Sequence, residues 1–292
     1  MNKNLKIFIT GSKGQLGYEC IRVLKEKGYS NILESDMDTL DITNNETVNK
    51  MILEFKPDII FHNAAYTAVD KAEDNPELVY KVNSEAPLFI AKAAKKVGAK
   101  MFLISTDYVF DGVGTTPFEI DSPKNGLSVY GKSKSLGEDN VIKTFDKYFI
   151  LRISWLFGIN GNNFVKSMIN LAKSGKRELN IVDDQIGSPT YSYDLARLMI
   201  EMMETDKYGI YHVTNEGFTS WADFAIKIFK ECNLDMKVNK VTTNEYLKIN
   251  PNQARRPLNS RLSKKSLLNN GFSLLPTWED ALKRFIHQEL NY

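Results

Sequence analysis

Short apolar runs alternate with longer amphipathic stretches from the first residues of the chain onward. Runs rich in Ile, Leu, Val and Phe fall at Leu5–Thr10, Asn31–Ser35, Asp58–Asn63, Lys100–Ser105, Tyr148–Ile153 and Ile210–Val213. Near-continuous hydrophobicity over so few residues marks strands covered on both faces, as in a parallel sheet. Between them, apolar positions at helical spacing predict Gln15–Lys27, Pro76–Val97 with Gly98 as its stop, and Val129–Lys143. Repeated βαβ units of this kind predict an α/β, doubly wound parallel sheet.

Past Ser154 the alternation loosens, and Gly158, Gly161, Gly175, Gly187, Pro189, Gly217, Pro251 and Pro257 cut the chain into shorter units. Residues 1–153, joined by parts of about 181–215, are therefore read as one domain, and residues 154–292 as mainly a smaller C-terminal α/β lobe. In that lobe Ser220 and Asp223 stand at capping-box spacing before Trp221, Phe224, Ala225, Ile228 and Phe229, which share one helical face and read as core.

The composition adds mainly exclusions. With 42% hydrophobic and 25% charged residues in 292, the chain is an ordinary globular one. A net charge of +2 gives no electrostatic reason for nucleic acid or an anionic membrane, so a small-molecule partner is expected. No run reaches the ~18 apolar residues that a membrane span requires. Cys20 and Cys232 lie outside any CxxC or Cys/His cluster and read as buried thiols of a reduced, cytoplasmic protein. His62, His212 and His287 lack metal-ligand spacing and read as structural, so no metal is expected.

The first strand runs into Thr10-Gly11-Ser12-Lys13-Gly14-Gln15-Leu16-Gly17. Glycines at 11, 14 and 17, between a strand and a helix, suit a tight turn, close backbone approach to a pyrophosphate and close helix packing. The spacing is GxxGxxG, and no P-loop GK[ST] follows. A dinucleotide-binding, Rossmann-type first domain is expected, with Gly11, Lys13, Gly14, Gln15, Leu16 and Gly17 as contacts. After the second strand, Asp36 is the candidate for a ribose 2′-hydroxyl, and Asp41 and Ile42 are counted with the cofactor contacts. An acid at 36 repels a 2′-phosphate, which favours NADH slightly over NADPH, although Lys13 can meet such a phosphate.

Tyr130-Gly131-Lys132-Ser133-Lys134 sets a tyrosine and a lysine four apart on one helical face, and Ser105-Thr106-Asp107-Tyr108 closes the fourth strand, where such sheets meet their ligands. Together with the glycine loop they make a reductase site. Gly11–Gly17, Asn63-Ala64-Ala65, Ser105-Thr106-Asp107 and Tyr130–Lys134 resemble the extended short-chain dehydrogenase/reductases. Longer strings narrow the likeness: Asn63–Glu73, Ser105–Gly112, Gly161–Phe164, Asp184–Thr190 and Arg256–Ser260 resemble the dTDP-4-dehydrorhamnose reductase family over most of the chain.

That resemblance implies reduction of the C4 ketone of a dTDP-4-dehydro-6-deoxy sugar by a nicotinamide cofactor. Tyr130 would donate the proton, Lys134 would lower the Tyr130 pKa and bind the nicotinamide ribose, and Thr106 rather than Ser105 would orient the carbonyl. Asn63, Ala64, Ala65 and Tyr66 would border the cofactor. Thr67, Val69, Tyr108 and Trp155 would face the sugar, while Asn162 or Asn163 and Arg256 would address the nucleotide end. Asn83 either braces the site or caps a helix. Family members include homodimers with interfacial magnesium held by glutamates, but no ligand set is matched here. The rival readings are another nucleotide-sugar ketoreductase, epimerase or dehydratase, and a non-catalytic dinucleotide-binding regulatory subunit. Dehydratases of the superfamily carry a second acid where this chain has Tyr108, and the regulatory reading leaves the retained Thr106, Tyr130 and Lys134 without a purpose.

Overall fold

The six apolar runs become six short strands in a computed structural model, which describes residues 2–292. They are β1 (Ile7–Thr10), β2 (Ile32–Ser35), β3 (Ile59–His62), β4 (Lys100–Thr106), β5 (Tyr148–Ile153) and β6 (Gly209–His212). All pair in parallel, in the order β2-β1-β3-β4-β5-β6. The strand order reverses between β1 and β3, and ligands of such sheets sit over the carboxyl ends of the strands at that switch. There the Thr10 hydroxyl and His62 Nδ1 stand 2.8 Å apart, both buried, tying the two ends together. Burial pushes the His62 pKa down to about 3, so the ring is neutral and structural.

Alternation along β1 shows how the layers form. Ile7 and Ile9 pack with Cys20 and Leu24 of α1 (Gln15–Glu26) and Leu195 and Met199 of α5 (Ser192–Met202). Phe8 turns to the other face, against Val48 and Ile52 of α2 (Asn45–Phe55) and Ile90 and Ala94 of α3 (Ala86–Val97). Each such side chain contributes about 1.5–3 kcal/mol by leaving water. Cys20 and Cys232 are both buried and unpaired.

One expected helix does not form as a single piece. Over Pro76–Val97 the chain makes Pro76–Tyr80, a π turn at Lys81–Glu85, and then α3. Pro87 has no N–H, so a regular α-helix would leave the Asn83 carbonyl unmatched. Instead the Ala86 N–H bonds Lys81 O, one residue further back. The turn aims Asn83 inward, where its amide donates to Tyr66 O and Ser133 Oγ, both at 3.1 Å, and its Oδ1 accepts the Tyr66 N–H at 2.9 Å. Asn83 thus braces the segment after β3. Its carbonyl lies against α4 (Val129–Thr144), where a Cβ on Gly137 would stand 2.2 Å from it.

Beyond β5 a second core gathers helices Phe164–Lys173, Trp221–Glu231 and Trp278–Arg284 around Phe157, Tyr191, Phe224 and Phe285. The helix opening at Trp221 is capped as the spacing predicts, Ser220 Oγ accepting the Asp223 N–H at 3.0 Å. Trp221 packs against this core beside Phe164 and stacks on Trp155, ring centroids 3.8 Å apart. Small sheets, Ile186–Gly187 with Thr219–Ser220 and Asn259–Ser260, and Glu178–Val182 with Lys237–Val241, complete the lobe. No helix of the described residues is long and apolar enough to cross a membrane.

Asn83→Ala removes three hydrogen bonds and strands the Tyr66 amide and carbonyl. We expect it to lower the unfolding free energy by about 2–4 kcal/mol. Urea denaturation checks this, and a midpoint equal to that of the parent chain would contradict the bracing role.

Candidate active site

The glycine loop is shaped by contacts that exclude side chains. Gly11 has φ +65°, and a Cβ there would stand 2.8 Å from Ala64 N, so the Asn63–Ala64 backbone crosses directly over the turn. A Cβ on Gly17 would lie 2.0 Å from Gly11 O. α1 therefore begins flush against β1, with its N-terminus open toward the strand ends, as a pyrophosphate requires. A cavity of about 720 Å³ flanks the loop, lined by Ser12, Lys13, Arg22, Asp36, Asp38 and Asn160.

The candidate adenosine residues are already engaged. Asp36 Oδ2 accepts the Lys13 N–H and Oδ1 the Met37 N–H, both at 2.8 Å, so Asp36 fastens the glycine loop to the end of β2. Lys13 Nζ pairs with Asp38 across the exposed rim. Asp41 Oδ1 is held by the Thr43 amide and hydroxyl, and Ile42 packs on the α2–α3 side of the core.

The loop is also gripped from the second lobe, which the sequence did not reveal. Asn160 Nδ2 donates to Lys13 O at 2.6 Å, and Asn163 Nδ2 donates to Gln15 Oε1 at 3.0 Å and to Gly158 O at 2.8 Å. Asn163 Oδ1 meanwhile caps the following helix at Lys166 N. Both polar atoms of the Asn163 side chain thus have protein partners. Asn162 is exposed.

Thr106 ends β4, and Tyr130 and Lys134 occupy the first turns of α4. α4 comes close because Gly131 has no side chain: a Cβ there would stand 2.1 Å from Tyr108 O. Tyr108 meets Tyr130 edge to face at 5.7 Å. Burial pushes the Tyr130 phenol up to about 12, with Thr106 acting downward and Asp107 upward. Lys134 Nζ donates to Ile104 O at 2.5 Å, and burial outweighs any pull of its charge on the Tyr130 phenol. Burial lowers Lys134 to about 8, opposed by the Glu138 carboxylate.

Glu138, one turn beyond Lys134, is fully buried and accepts from Arg152 Nε at 2.9 Å, Arg152 Nη2 at 2.8 Å and Ser105 Oγ at 2.5 Å. The Arg152 guanidinium and its partners outweigh desolvation and hold Glu138 below the usual carboxylate range. Arg152 Nη1 also donates to Ile120 O at 2.8 Å and reaches His212 Nε2 at 3.3 Å. His212 Nδ1 lies 3.1 Å from Ser263 O, which only accepts, so Nδ1 carries the proton and Nε2 receives Arg152.

On the outer side, Trp155 stands at φ +50° and Gly187 packs against its ring. Val69 opens the short helix Val69–Asp74, and Thr67 is exposed just before it. Arg256, expected to address phosphate, donates from Nη2 to both Asp70 oxygens at 2.9 and 3.0 Å and from Nη1 to Gln253 Oε1 and Ala254 O, and Asp70 also accepts the Ala254 N–H. This clamp joins the second lobe to the segment after β3. Two groups absent from the candidates stand in the site: Asp107, 2% exposed with Oδ2 lacking a well-formed hydrogen bond, and Glu138. Glu138 has no local sequence signal, while Asp107 stands in the Ser105-Thr106-Asp107 string; the burial of both depends on distant residues. Among the described residues, no group of three or more His, Cys, Asp or Glu side chains is placed to hold a metal ion.

Comparison with known proteins agrees over the whole length. The family model of the RmlD substrate binding domain matches residues 5–291. The chain is 42% identical to a dTDP-4-dehydrorhamnose reductase of Aggregatibacter actinomycetemcomitans, covering 95% of this chain and 97% of that one. It is 38% identical to the spore coat polysaccharide biosynthesis protein SpsK of Bacillus subtilis, covering 97% of each. The crystal structure of dTDP-4-dehydrorhamnose reductase from Bacillus anthracis in complex with NADP superposes with a TM-score of 0.93 at 42% identity, covering 98% of this chain and 99% of that one.

Arg152→Met leaves the Glu138 carboxylate buried without its main partner, and we expect a loss of about 3–5 kcal/mol at neutral pH. In the parent, the lowered Glu138 stabilises the fold above the ordinary carboxylate pKa and loses that contribution in acid. In the variant Glu138 gains by taking a proton, so the gap between the two proteins should narrow as pH falls. Denaturation midpoints across pH test this, and a gap that stays constant or widens in acid would contradict it.

Proposed function

The chain belongs to the family of the RmlD substrate binding domain, and from that premise we propose that it reduces the C4 keto group of dTDP-4-dehydro-L-rhamnose to the alcohol, using NADH or NADPH. The observation carrying this reading is the convergence of Thr106, Tyr130 and Lys134 at the end of β4, beside a glycine loop whose tight packing suits a pyrophosphate. Full-length likeness to proteins named dTDP-4-dehydrorhamnose reductase supports the substrate class.

In this reading, residues 1–153 with parts of 181–215 hold the dinucleotide, and the rest of 154–292 mainly holds the sugar nucleotide. The backbone of Gly11, Gly14, Gln15, Leu16 and Gly17 receives the pyrophosphate, and Asn63 to Tyr66 border the ribose and nicotinamide. When bound, the nicotinamide supplies hydride to C4. Tyr130, protonated at neutral pH because burial raises it, gives its phenolic proton to the keto oxygen. Lys134, still mostly charged near pH 7, offsets the phenolate that remains and reaches the ribose hydroxyls. Thr106 donates to the same keto oxygen. Val69 and Trp155 give an apolar wall for the 6-deoxy methyl group, with Thr67 and Tyr108 beside it. Arg256 turns from Asp70 to the diphosphate, to which its planar fork is equally matched, with Asn162 near the nucleotide. Tyr108 in the position of a second acid disfavours a dehydratase.

The decisive assay follows the absorbance of the reduced nicotinamide on mixing the protein with dTDP-4-keto-6-deoxyglucose and a matching 3,5-epimerase. Oxidation is expected, and Tyr130→Phe should lower kcat on the order of 10²–10⁴-fold with little change in KM. No oxidation with either cofactor would sink the assignment. Asp38→Ala frees Lys13 for a 2′-phosphate, so kcat/KM for NADPH should rise about 3- to 10-fold relative to NADH at low salt and less at high salt. An unchanged ratio would remove Lys13 from cofactor choice.

A further inference from the structure

The donors and acceptors around Thr106 do not yet serve the role just given to it. A threonine hydroxyl has one hydrogen and two lone pairs. One lone pair accepts the Tyr108 N–H at 3.2 Å, the hydrogen is donated to Asp107 Oδ1 at 3.0 Å, and the Tyr130 phenol is a further hydrogen-bonding neighbour of the same hydroxyl. A carboxylate only accepts, so while Asp107 is ionised the Thr106 hydrogen is turned away from any keto oxygen. A protonated Asp107 reverses the bond: its O–H fills the second lone pair of Thr106, and the Thr106 hydrogen is released toward the substrate.

The surroundings of Asp107 favour this. It is 2% exposed, and its Oδ2 is buried without a well-formed hydrogen bond, a costly place for a charge. Burial pushes its carboxyl up to about 6, against the Ser260 and Thr106 hydroxyls and the Asp107 and Tyr108 amides, which pull it down. The Tyr108 and Tyr130 phenols lie within electrostatic reach of Asp107, with the Arg256–Asp70 pair next beyond Tyr108.

We propose that Asp107 is a positioning residue of this site that works as a neutral carboxylic acid, donating to the Thr106 hydroxyl so that Thr106 donates to the keto oxygen of the substrate. The proposal rests on the ketoreductase reading and deepens it. Asp107 keeps its proton through the cycle; the proton delivered to the product oxygen comes from Tyr130, and hydride comes from the reduced nicotinamide. Turnover therefore falls as Asp107 ionises with rising pH, below the range in which Lys134 and Tyr130 titrate. An asparagine at this position donates through its amide and cannot ionise, so it mimics the working form.

The test is kcat and KM against pH, from about pH 5 to about pH 9, for the parent chain, Asp107→Asn and Asp107→Val. The parent should show a descending limb with a midpoint at about 6, below that of Lys134. Asp107→Asn should keep kcat within about threefold of the acid plateau and lose that limb, whereas Asp107→Val should lower kcat about 10- to 100-fold at every pH with KM little changed. An active parent with no such limb, or an asparagine variant as impaired as the valine one, overturns the proposal and leaves the ketoreductase reading standing. A parent inactive at every pH overturns both. A readout independent of turnover is the protonated carboxyl stretch in the infrared difference between parent and Asp107→Asn at about pH 6. Its absence overturns the proposal, whatever the kinetics.

Discussion

A carboxylate and a guanidinium buried together beneath one helix hold the reactive end of this molecule in register. Glu138 hangs from α4, which carries Tyr130 and Lys134, while Arg152 rises from β5, and Ser105 joins them from the residue before Thr106. Three segments distant in sequence therefore meet at one ion pair. Neither ion has an economical alternative in a dry interior, because separating the pair leaves a bare charge there. The same arginine reaches His212 of β6 and the Ile120 carbonyl, so the edge of the sheet and the loop after β4 are set by the same group.

Around that fixed point the helices approach closely because bulk is missing where they cross. Gly131 admits the backbone of Tyr108, and Gly137 admits the carbonyl of Asn83. The π turn that presents Asn83 follows from a proline four residues on, so an irregular helix, a glycine and a bracing amide form one device. Its product is a rigid wall behind the segment Asn63 to Tyr66, which borders the glycine loop.

Much of this architecture is written locally. The six strands announce themselves by apolar runs, and the glycine loop and the Tyr130–Lys134 pair by spacing alone, because a turn and a helical face are properties of adjacent residues. What escaped the sequence depends on tertiary neighbours. The break at Lys81–Glu85 has a local cause in Pro87, but what it presents Asn83 to, Tyr66 and Ser133, does not, and the raised Tyr130 follows from burial rather than from the lysine a turn away. Arg256 and Asn163 have the right chemistry for a nucleotide, yet each already has a protein partner, which no local pattern discloses. Asp107 stands in a string that carries the family likeness, but its burial is not legible until distant residues close over it.

The grip of Asn160 and Asn163 on the glycine loop bears on how such a molecule is inherited. A loop that holds its shape by hydrogen bonds from both lobes is common property. The two lobes cannot then diverge as interchangeable cassettes, and grafting a foreign second lobe onto this sheet would bring in the wrong partners for Lys13 and Gln15. Change within the second lobe is instead confined to positions that leave those two asparagines where they are.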